Sequence, residues 1–402
     1  MTRDLAAERD AWLTLVCVDG VAEGILGRFV RRFGSASETL AVAADRDADR
    51  ARRRLMGAAP GYLTLVTAGR IRAAALDPGA VERRVKADGG WVVTPLDADY
   101  PDRLRHLDPP PVAFFGLGRR DLASELRSVA VVGTRHPTPS GRTLAGRIAR
   151  RLVDADAVVV SGLAVGVDGA AHAATIEARG RTLAVIGGGF EHPGPRAHDR
   201  LRGAILEGGG SVVSEHAPHV RPTRGTFPRR NRIISVLTLA TIVVEAPARS
   251  GALITARHAL EQGRRLLVVP GRPGEVAAAG CLALLRETPA RPLVGLDEMV
   301  VDLGLDHRSL VRAGGAAGTL DLDGALALLG PVERAVARVL HRGPATADAL
   351  IAATDLTASI VAGALTLLQL RGWSQPLGAM HLPAGPLLAA PRRAPPRSGV
   401  VR

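Results

Sequence analysis

The run VAVVGTR at 129–135, followed by VVVSGLAVGVDGAAH at 158–172, decides the fold. In both, a short Val-rich run ends at a small residue and leads into a segment long enough for a crossover helix. Working outward, the same pattern recurs at 157–160, 182–186, 211–213, 241–244 and 265–269, so that with 129–132 six runs read as strands. Strands alternating with helical segments imply βαβ units in an α/β fold, with a mostly parallel sheet covered on both faces. In such a sheet ligands sit beyond the carboxyl ends of the strands. The residues leaving the runs there are Gly133-Thr134-Arg135, Ser161-Gly162, Gly187-Gly188-Gly189, Ser214-Glu215, Glu245-Ala246 and Pro270-Gly271. Small residues let a ligand approach the backbone, and the following helix N-termini offer free N–H groups to an anion. The strand ends are therefore read as an anion-binding crevice.

Four elements carry that reading. Arg135 stands beside a glycine turn, where a guanidinium can make bidentate contact with phosphate. The Ser161-Gly162 loop runs on to Asp168, placed to N-cap the helix that carries His172. Asp168 and His172 either shape this loop by hydrogen bonds or form a catalytic or metal-binding pair. In FPRRNRII at 227–234, Arg229, Arg230, Asn231 and Arg232 precede an amphipathic helix whose dipole already favours anions. Finally, Ser250, Gly251 and Thr255 open another helix after another strand. Singly these are weak signals, since many surface arginines follow strands; together, on successive strands, they are specific.

Several chemistries lack their motifs. There is no Gly-x-x-x-x-Gly-Lys-Ser/Thr phosphate loop, and Arg135 occupies the place of the second glycine of a dinucleotide fingerprint. A Gly-x-Ser-x-Gly elbow and a paired-histidine metal motif are missing too. No catalytic residue, metal or cofactor is expected. The formal net charge of +13, from 52 Lys and Arg against 39 Asp and Glu, favours a polyanionic partner, although an Arg-rich genome composition yields the same excess. The two cysteines, Cys17 and Cys281, are far apart and suit a reducing cytoplasm. Met1-Thr2-Arg3-Asp4 opens no signal peptide, and no run reaches membrane-spanning length. A cytoplasmic location is expected.

Around the sheet the chain divides into further pieces. Residues 1–87 read as helical, with apolar residues at helical spacing about a turn at Asp19-Gly20. That turn resembles a helix-hairpin-helix, whose amides take a DNA phosphate, or else simply packs two helices. The core spans 88–302 and opens with a bridge in which Tyr100, Phe114 and Phe115 are expected to pin the segment to the sheet. A Gly- and Ala-rich linker is expected over 303–330, and three helical segments with a hairpin over 331–384. These resemble a winged helix with 357–371 in the recognition position. That segment has almost no basic residue before Arg371, so a protein-contacting or structural wing is expected. Residues 385–402 read as a disordered basic tail.

With these residues assembled, the chain resembles the DNA-processing protein A family (DprA, also called Smf). Besides the motifs above, TLAVIGGGF at 182–190, SEH at 214–216, VVEAPARSGALITARHALEQGR at 243–264, VVPG at 268–271, DADYPDRL at 97–104 and DPPPVAFFG at 108–116 carry the likeness. The resemblance implies a Rossmann-like DNA-binding core, an N-terminal helical domain similar to sterile-alpha-motif domains, and a C-terminal winged helix. It also implies a function without catalysis: binding and protecting incoming single-stranded DNA in natural transformation and helping to load the RecA recombinase. A homodimer through the region beginning at Ala256 and ending at Val269 is implied as well. By position, the nucleic-acid-binding residues would be Gly133, Thr134, Arg135, Ser161, Gly162, Arg230, Asn231, Arg232, Ser250, Gly251 and Thr255. The preference for single strands rests on this resemblance.

The chain departs from the family pattern at Gly194, where Tyr is expected, at His198, where Asn is expected, and around Leu282. A rival reading is a nucleotide phosphoribohydrolase of similar fold, with Glu245 as general acid or base. The Arg-rich segment and the flanking domains are superfluous to such an enzyme.

Overall fold

The computed structural model describes residues 4–21, 23–192, 196–306, 326, 329–370, 373–377, 380–384 and 387. Gly194, most of the expected linker and nearly all of the expected tail lie outside the described residues.

The sheet follows the predicted strands closely. After a hairpin of β1 (Gly90–Val93) and β2 (Phe114–Gly118), the chain runs β3 (Ser128–Val132), α7 (Pro139–Asp154), β4 (Val158–Ser161), α8 (Val167–Glu177) and β5 (Thr182–Val185). It continues through α9 (Asp199–Glu207), β6 (Ser211–Ser214), α10 (Thr226–Val236), β7 (Ala240–Val243), α11 (Ala252–Glu261) and β8 (Arg265–Val268). It closes with α12 (Ala279–Glu287), β9 (Arg291–Pro292) and α13 (Leu296–Asp302). The nine strands lie in the order β1-β2-β6-β5-β4-β3-β7-β8-β9, and only β1 and β2 are antiparallel to their neighbours. From β3 the chain first builds outward through β4, β5 and β6, then returns to place β7 on the other side of β3. The order therefore reverses between β3 and β7, which is the switch point where a doubly wound sheet opens a crevice.

The pleat explains why both faces are apolar. Ala130 and Val132 face one core with Ile233, Ile234 and Val236 of α10, while Val129 and Val131 face the other with Ile148 and Leu152 of α7. Each strand alternates between two buried layers, so its sequence reads as an unbroken apolar run. The bridge is pinned by its aromatics. Tyr100, Phe114 and Phe115 are all buried, and the Tyr100 hydroxyl donates to Pro111 O at 2.7 Å.

The N-terminal region is six helices: α1 (Leu5–Val16), α2 (Glu23–Phe33), α3 (Ala36–Ala43), α4 (Ala48–Ala58), α5 (Leu65–Ala75) and α6 (Ala80–Ala87). Phe29, Leu55 and Ile71 lie at its centre. Arg9 of α1 pairs with Glu82 of α6 at 2.6 Å and ties both to the bridge through Asp97 at 2.7 Å. The turn after α1 serves packing. Gly20 has φ +90°, and a Cβ there would lie 2.8 Å from the Thr67 hydroxyl of α5. Asp19 beside it meets His219 of the core at 3.1 Å.

Toward the C-terminus, α14 (Pro331–Arg342), α15 (Ala347–Thr354) and α16 (Ala358–Leu370) pack with a small sheet of β10 (Ala345–Thr346), β11 (Ser374–Leu377) and β12 (Met380–Pro383) in the order β10-β12-β11. α16, in the recognition position, contains no charged residue, and its Ile360 and Leu367 are exposed. Among the described residues no single helix is long and apolar enough to cross a membrane.

Candidate functional site

The carboxyl ends of β3 and β7 open into a crevice of about 540 Å³ between the loop after β3 and the N-terminal ends of α10 and α11. Of the predicted residues it gathers Gly133, Thr134, Arg135, Arg230, Asn231, Ser250, Gly251 and Thr255. Their roles differ.

Arg135 is exposed at the mouth, with its guanidinium 5.7 Å from the centre of the Phe227 ring. That is cation–π range. It has no carboxylate partner among the described residues. Thr134 supports it from below: its N–H donates to Glu245 O at 2.7 Å and its hydroxyl accepts from His136 N at 3.2 Å. Asn231 donates from Nδ2 to Gly251 O at 3.3 Å and thereby joins α10 to the start of α11. The Ser250 hydroxyl accepts from Ala252 N at 3.3 Å, within the first turn of α11, and Thr255 is buried beneath it.

Three predicted phosphate ligands are placed otherwise. Arg230 is only 4% exposed, and its Nη1 donates to Gly162 O at 2.6 Å and to Val185 O. Burial lowers its pKa to about 10, against the pull of Asp168. Arg230 thus bolts α10 to the ends of β4 and β5, and its charge reaches the crevice only from the floor. Arg232 points away, to Glu215 at 2.5 Å and Pro109 O at 2.8 Å, so its charge is already matched. Ser161 is fully buried, with its hydroxyl donating to Val131 O at 2.6 Å. Ser161, Gly162 and Arg232 do not line the crevice.

The glycines differ from expectation as well. A Cβ on Gly162 would lie 2.6 Å from the Arg230 guanidinium, and one on Gly133 would lie 2.6 Å from Val167. In the triple glycine, Gly187 and Gly188 press on Phe227 and Pro222, at 3.0 and 2.8 Å from the same added atom. These positions are small because protein fills the space beside them.

Asp168 does not cap α8, whose N-cap is Gly166. Its Oδ2 instead accepts from Gly162 N at 3.1 Å, steadying the loop ahead of the helix. Burial raises the Asp168 pKa, opposed by Arg230. His172 lies in the core: Nδ1 is 2.7 Å from Thr182 Oγ1, and Nε2 is buried without a hydrogen bond. Asp168 shapes the loop, whereas His172 joins α8 to β5 and does not bond to the loop. Among the described residues no group of three or more His, Cys, Asp or Glu could hold a metal ion.

Glu245, the candidate general acid or base, belongs to the start of α7. Its carboxylate accepts from Thr138 N at 2.9 Å and from the Thr138 hydroxyl at 2.5 Å. Thr138 in turn caps α7 through Gly141 N at 3.0 Å. Glu245 lines a separate cavity with Ser140, Gly141 and Pro270, which Arg135 does not reach.

Sequence reasoning missed two arginines. Arg224 and Arg249 line the crevice, are exposed, and have no carboxylate partner among the described residues. The available signal was the density of arginines from Arg221 to Arg232 and the Arg249-Ser250-Gly251 run. The site is therefore a cationic mouth of Arg135, Arg224 and Arg249 around one aromatic ring. Guanidinium groups and an aromatic ring are the groups that phosphate and a flat ring require.

Comparison with known proteins follows the same lines. Residues 91–304 match the family described as DNA recombination-mediator protein A, and residues 321–378 match the DprA winged helix domain. A DprA relative from Mycobacterium tuberculosis is 36% identical over 301 residues, covering 71% of this chain and 75% of that protein. DNA processing protein DprA of Bacillus subtilis is 42% identical over 188 residues, which cover 47% of this chain and 63% of the relative. The crystal structure of DNA processing protein A from Streptococcus pneumoniae aligns with a TM-score of 0.56 at 27% identity, covering 73% of this chain and 97% of the other.

Proposed function

The chain belongs to the DNA recombination-mediator protein A family, also named DprA or Smf, and from that premise we propose that it binds single-stranded DNA in the crevice between β3 and β7. In this reading it acts as a recombination mediator in natural transformation, protecting the strand and helping to load RecA. It works in the cytoplasm, as a dimer through α11 and β8.

The observation that carries the proposal is the mouth itself, with three exposed, unpaired arginines around Phe227. Unpaired guanidinium groups lose little by exchanging water for phosphate, and each contact displaces counterions. An aromatic ring beside them favours a base that is free to unstack, which a single strand supplies and a duplex does not. Backbone contacts carry little base information, so sequence preference is slight. No catalytic group is required.

The test is fluorescence anisotropy with labelled oligo-dT and the matching duplex across a salt series. Three phosphate contacts give a slope of log affinity on log salt of about −2 for a single strand, and Arg135→Ala reduces it by about 0.7. Affinity falls about tenfold or more in that variant, as expected for a charge-assisted contact. Equal binding of duplex, or an Arg135→Ala protein that binds as the wild type does, sinks the reading.

A further inference from the structure

Behind the loop that carries Arg135, α7 and α8 enclose a second open groove of about 560 Å³. Its floor includes Gly146 of α7 with Gly169, Ala170 and Ala173 of α8, small residues where two closely packed helices expose little but backbone and methyl groups. Its walls are polar. Arg142 on α7 is exposed, and its guanidinium has no hydrogen bond or ion pair with any described residue. His198, one of the departures from the family pattern, closes the opposite wall. Its Nδ1 is held 3.0 Å from Leu163 O, and its Cε1 lies 2.6 Å from where a Gly169 Cβ would be. Arg150 also faces the groove but is matched by Glu177 at 2.7 Å.

The groove and the crevice share a wall. Gly166 lines the groove with φ +94°, and a Cβ there would run into Thr134 O and, at 2.7 Å, Arg135 O. Val167 N donates to Thr134 O at 3.2 Å across the same junction. A polyanion crossing that junction from the crevice enters the groove that Arg142 lines. The groove contains no Phe, Tyr or Trp, and its one carboxylate is already paired. Its one aromatic ring is the His198 imidazole, tied to Leu163 O, and its one unmatched cation, Arg142, can hold a phosphate.

Building on the single-strand reading of the crevice, we propose that the α7–α8 groove continues the DNA path. Arg142 would hold the sugar-phosphate backbone of the nucleotides that follow those in the crevice. The site is a sequence-independent extension that a short oligonucleotide does not reach.

The experiment uses the full chain and oligo-dT of two lengths, about 6 and about 20 nucleotides, which bracket the range of one binding surface. Arg142→Ala is expected to weaken the longer oligonucleotide about tenfold and to make its salt slope shallower by about 0.7. The shorter one should change less than about twofold, on the same scale of contact energies. Arg142→Lys retains most of the affinity, because the charge remains. Arg147→Ala is the control: Arg147 is exposed on the same helix but does not line the groove. The proposal is overturned if Arg142→Ala leaves the longer oligonucleotide unaffected. It is equally overturned if both lengths weaken together, as a free-phosphate or mononucleotide site would require, or if Arg147→Ala does the same. A wild-type protein that binds neither length defeats the crevice reading itself, a different result from any of these.

Discussion

Replacing Arg230 with alanine should loosen the core before it affects any ligand. The guanidinium donates to Gly162 O at 2.6 Å and to Val185 O, at the ends of two adjacent strands, in a place without solvent. Truncation strands both carbonyls, at about 1–3 kcal/mol for each buried group left without a partner. It also takes a counter-charge from buried Asp168. Against this, the desolvation of the guanidinium, worth several kcal/mol, is relieved. Balancing the two leaves a loss of about 3 kcal/mol, within the range for breaking a buried charged contact. For a core of this size about 1 kcal/mol moves the melting point by roughly 2–4 °C, so the core transition should fall by about 6–12 °C. The assay is thermal unfolding followed by a probe in the sheet, because a chain with several units does not melt in one step. Arg230→Lys should not rescue, since an ammonium lacks the planar fork that spans two carbonyls. Arg135→Ala, at the exposed mouth, is the contrast: DNA affinity falls while the melting point stays within about 2 °C, as for surface substitutions. An Arg230→Ala protein that melts with the wild type and loses DNA as Arg135→Ala does would refute the argument and return Arg230 to the rim.

Two further outcomes follow from buried groups. Thr182 donates its hydroxyl proton to Val159 O at 2.7 Å, so its oxygen accepts from His172 Nδ1, and the proton-free Nε2 faces a dry core. Burial, with His198 and Arg230 nearby, lowers the His172 pKa to about 3. The unfolded chain then takes up the proton first as pH falls. The resulting stability is complete above pH about 6.5 and is lost on descending toward pH 3, by about 2 kcal/mol at pH 5. The fall in unfolding midpoint between pH 7 and 5 should therefore be smaller in His172→Asn than in the wild type; identical pH profiles would disprove it. Glu245→Gln removes one of two acceptors from the Thr138 cap and should destabilise the fold by about 1–2 kcal/mol. Neither it nor the wild type should release base from a nucleoside monophosphate. Turnover by the wild type that disappears in Glu245→Gln would overturn the capping role and favour the hydrolase.

How much of this was legible in the chain depends on which forces set each feature. Strand identity, the parallel sheet and its two-sided burial were written locally, as Val-rich runs ending in Gly, Ser or Pro, because a strand covered on both faces admits little else. A crevice at the carboxyl ends of the strands could be anticipated from the residues there, and Arg135 near Gly133 was found that way, but the switch point itself emerged only with the strand order. Composition also indicated that α16 lacks the basic residues of a DNA-reading helix. What remained hidden is direction. FPRRNRII presents three arginines in four positions, and nothing local says which one meets solvent. Helical spacing turns Arg230 inward beneath Gly162 and Arg232 across to Glu215, while Arg224 and Arg249, from separate segments, arrive at the same mouth. Likewise, the small size of Gly162 and Gly187 was visible, but not that Arg230 and Phe227 occupy the space beside them. A sequence lists the charges and the gaps; which charge ends up matched, and which gap is filled, depends on contacts between residues tens of positions apart, and only the tertiary structure fixes those.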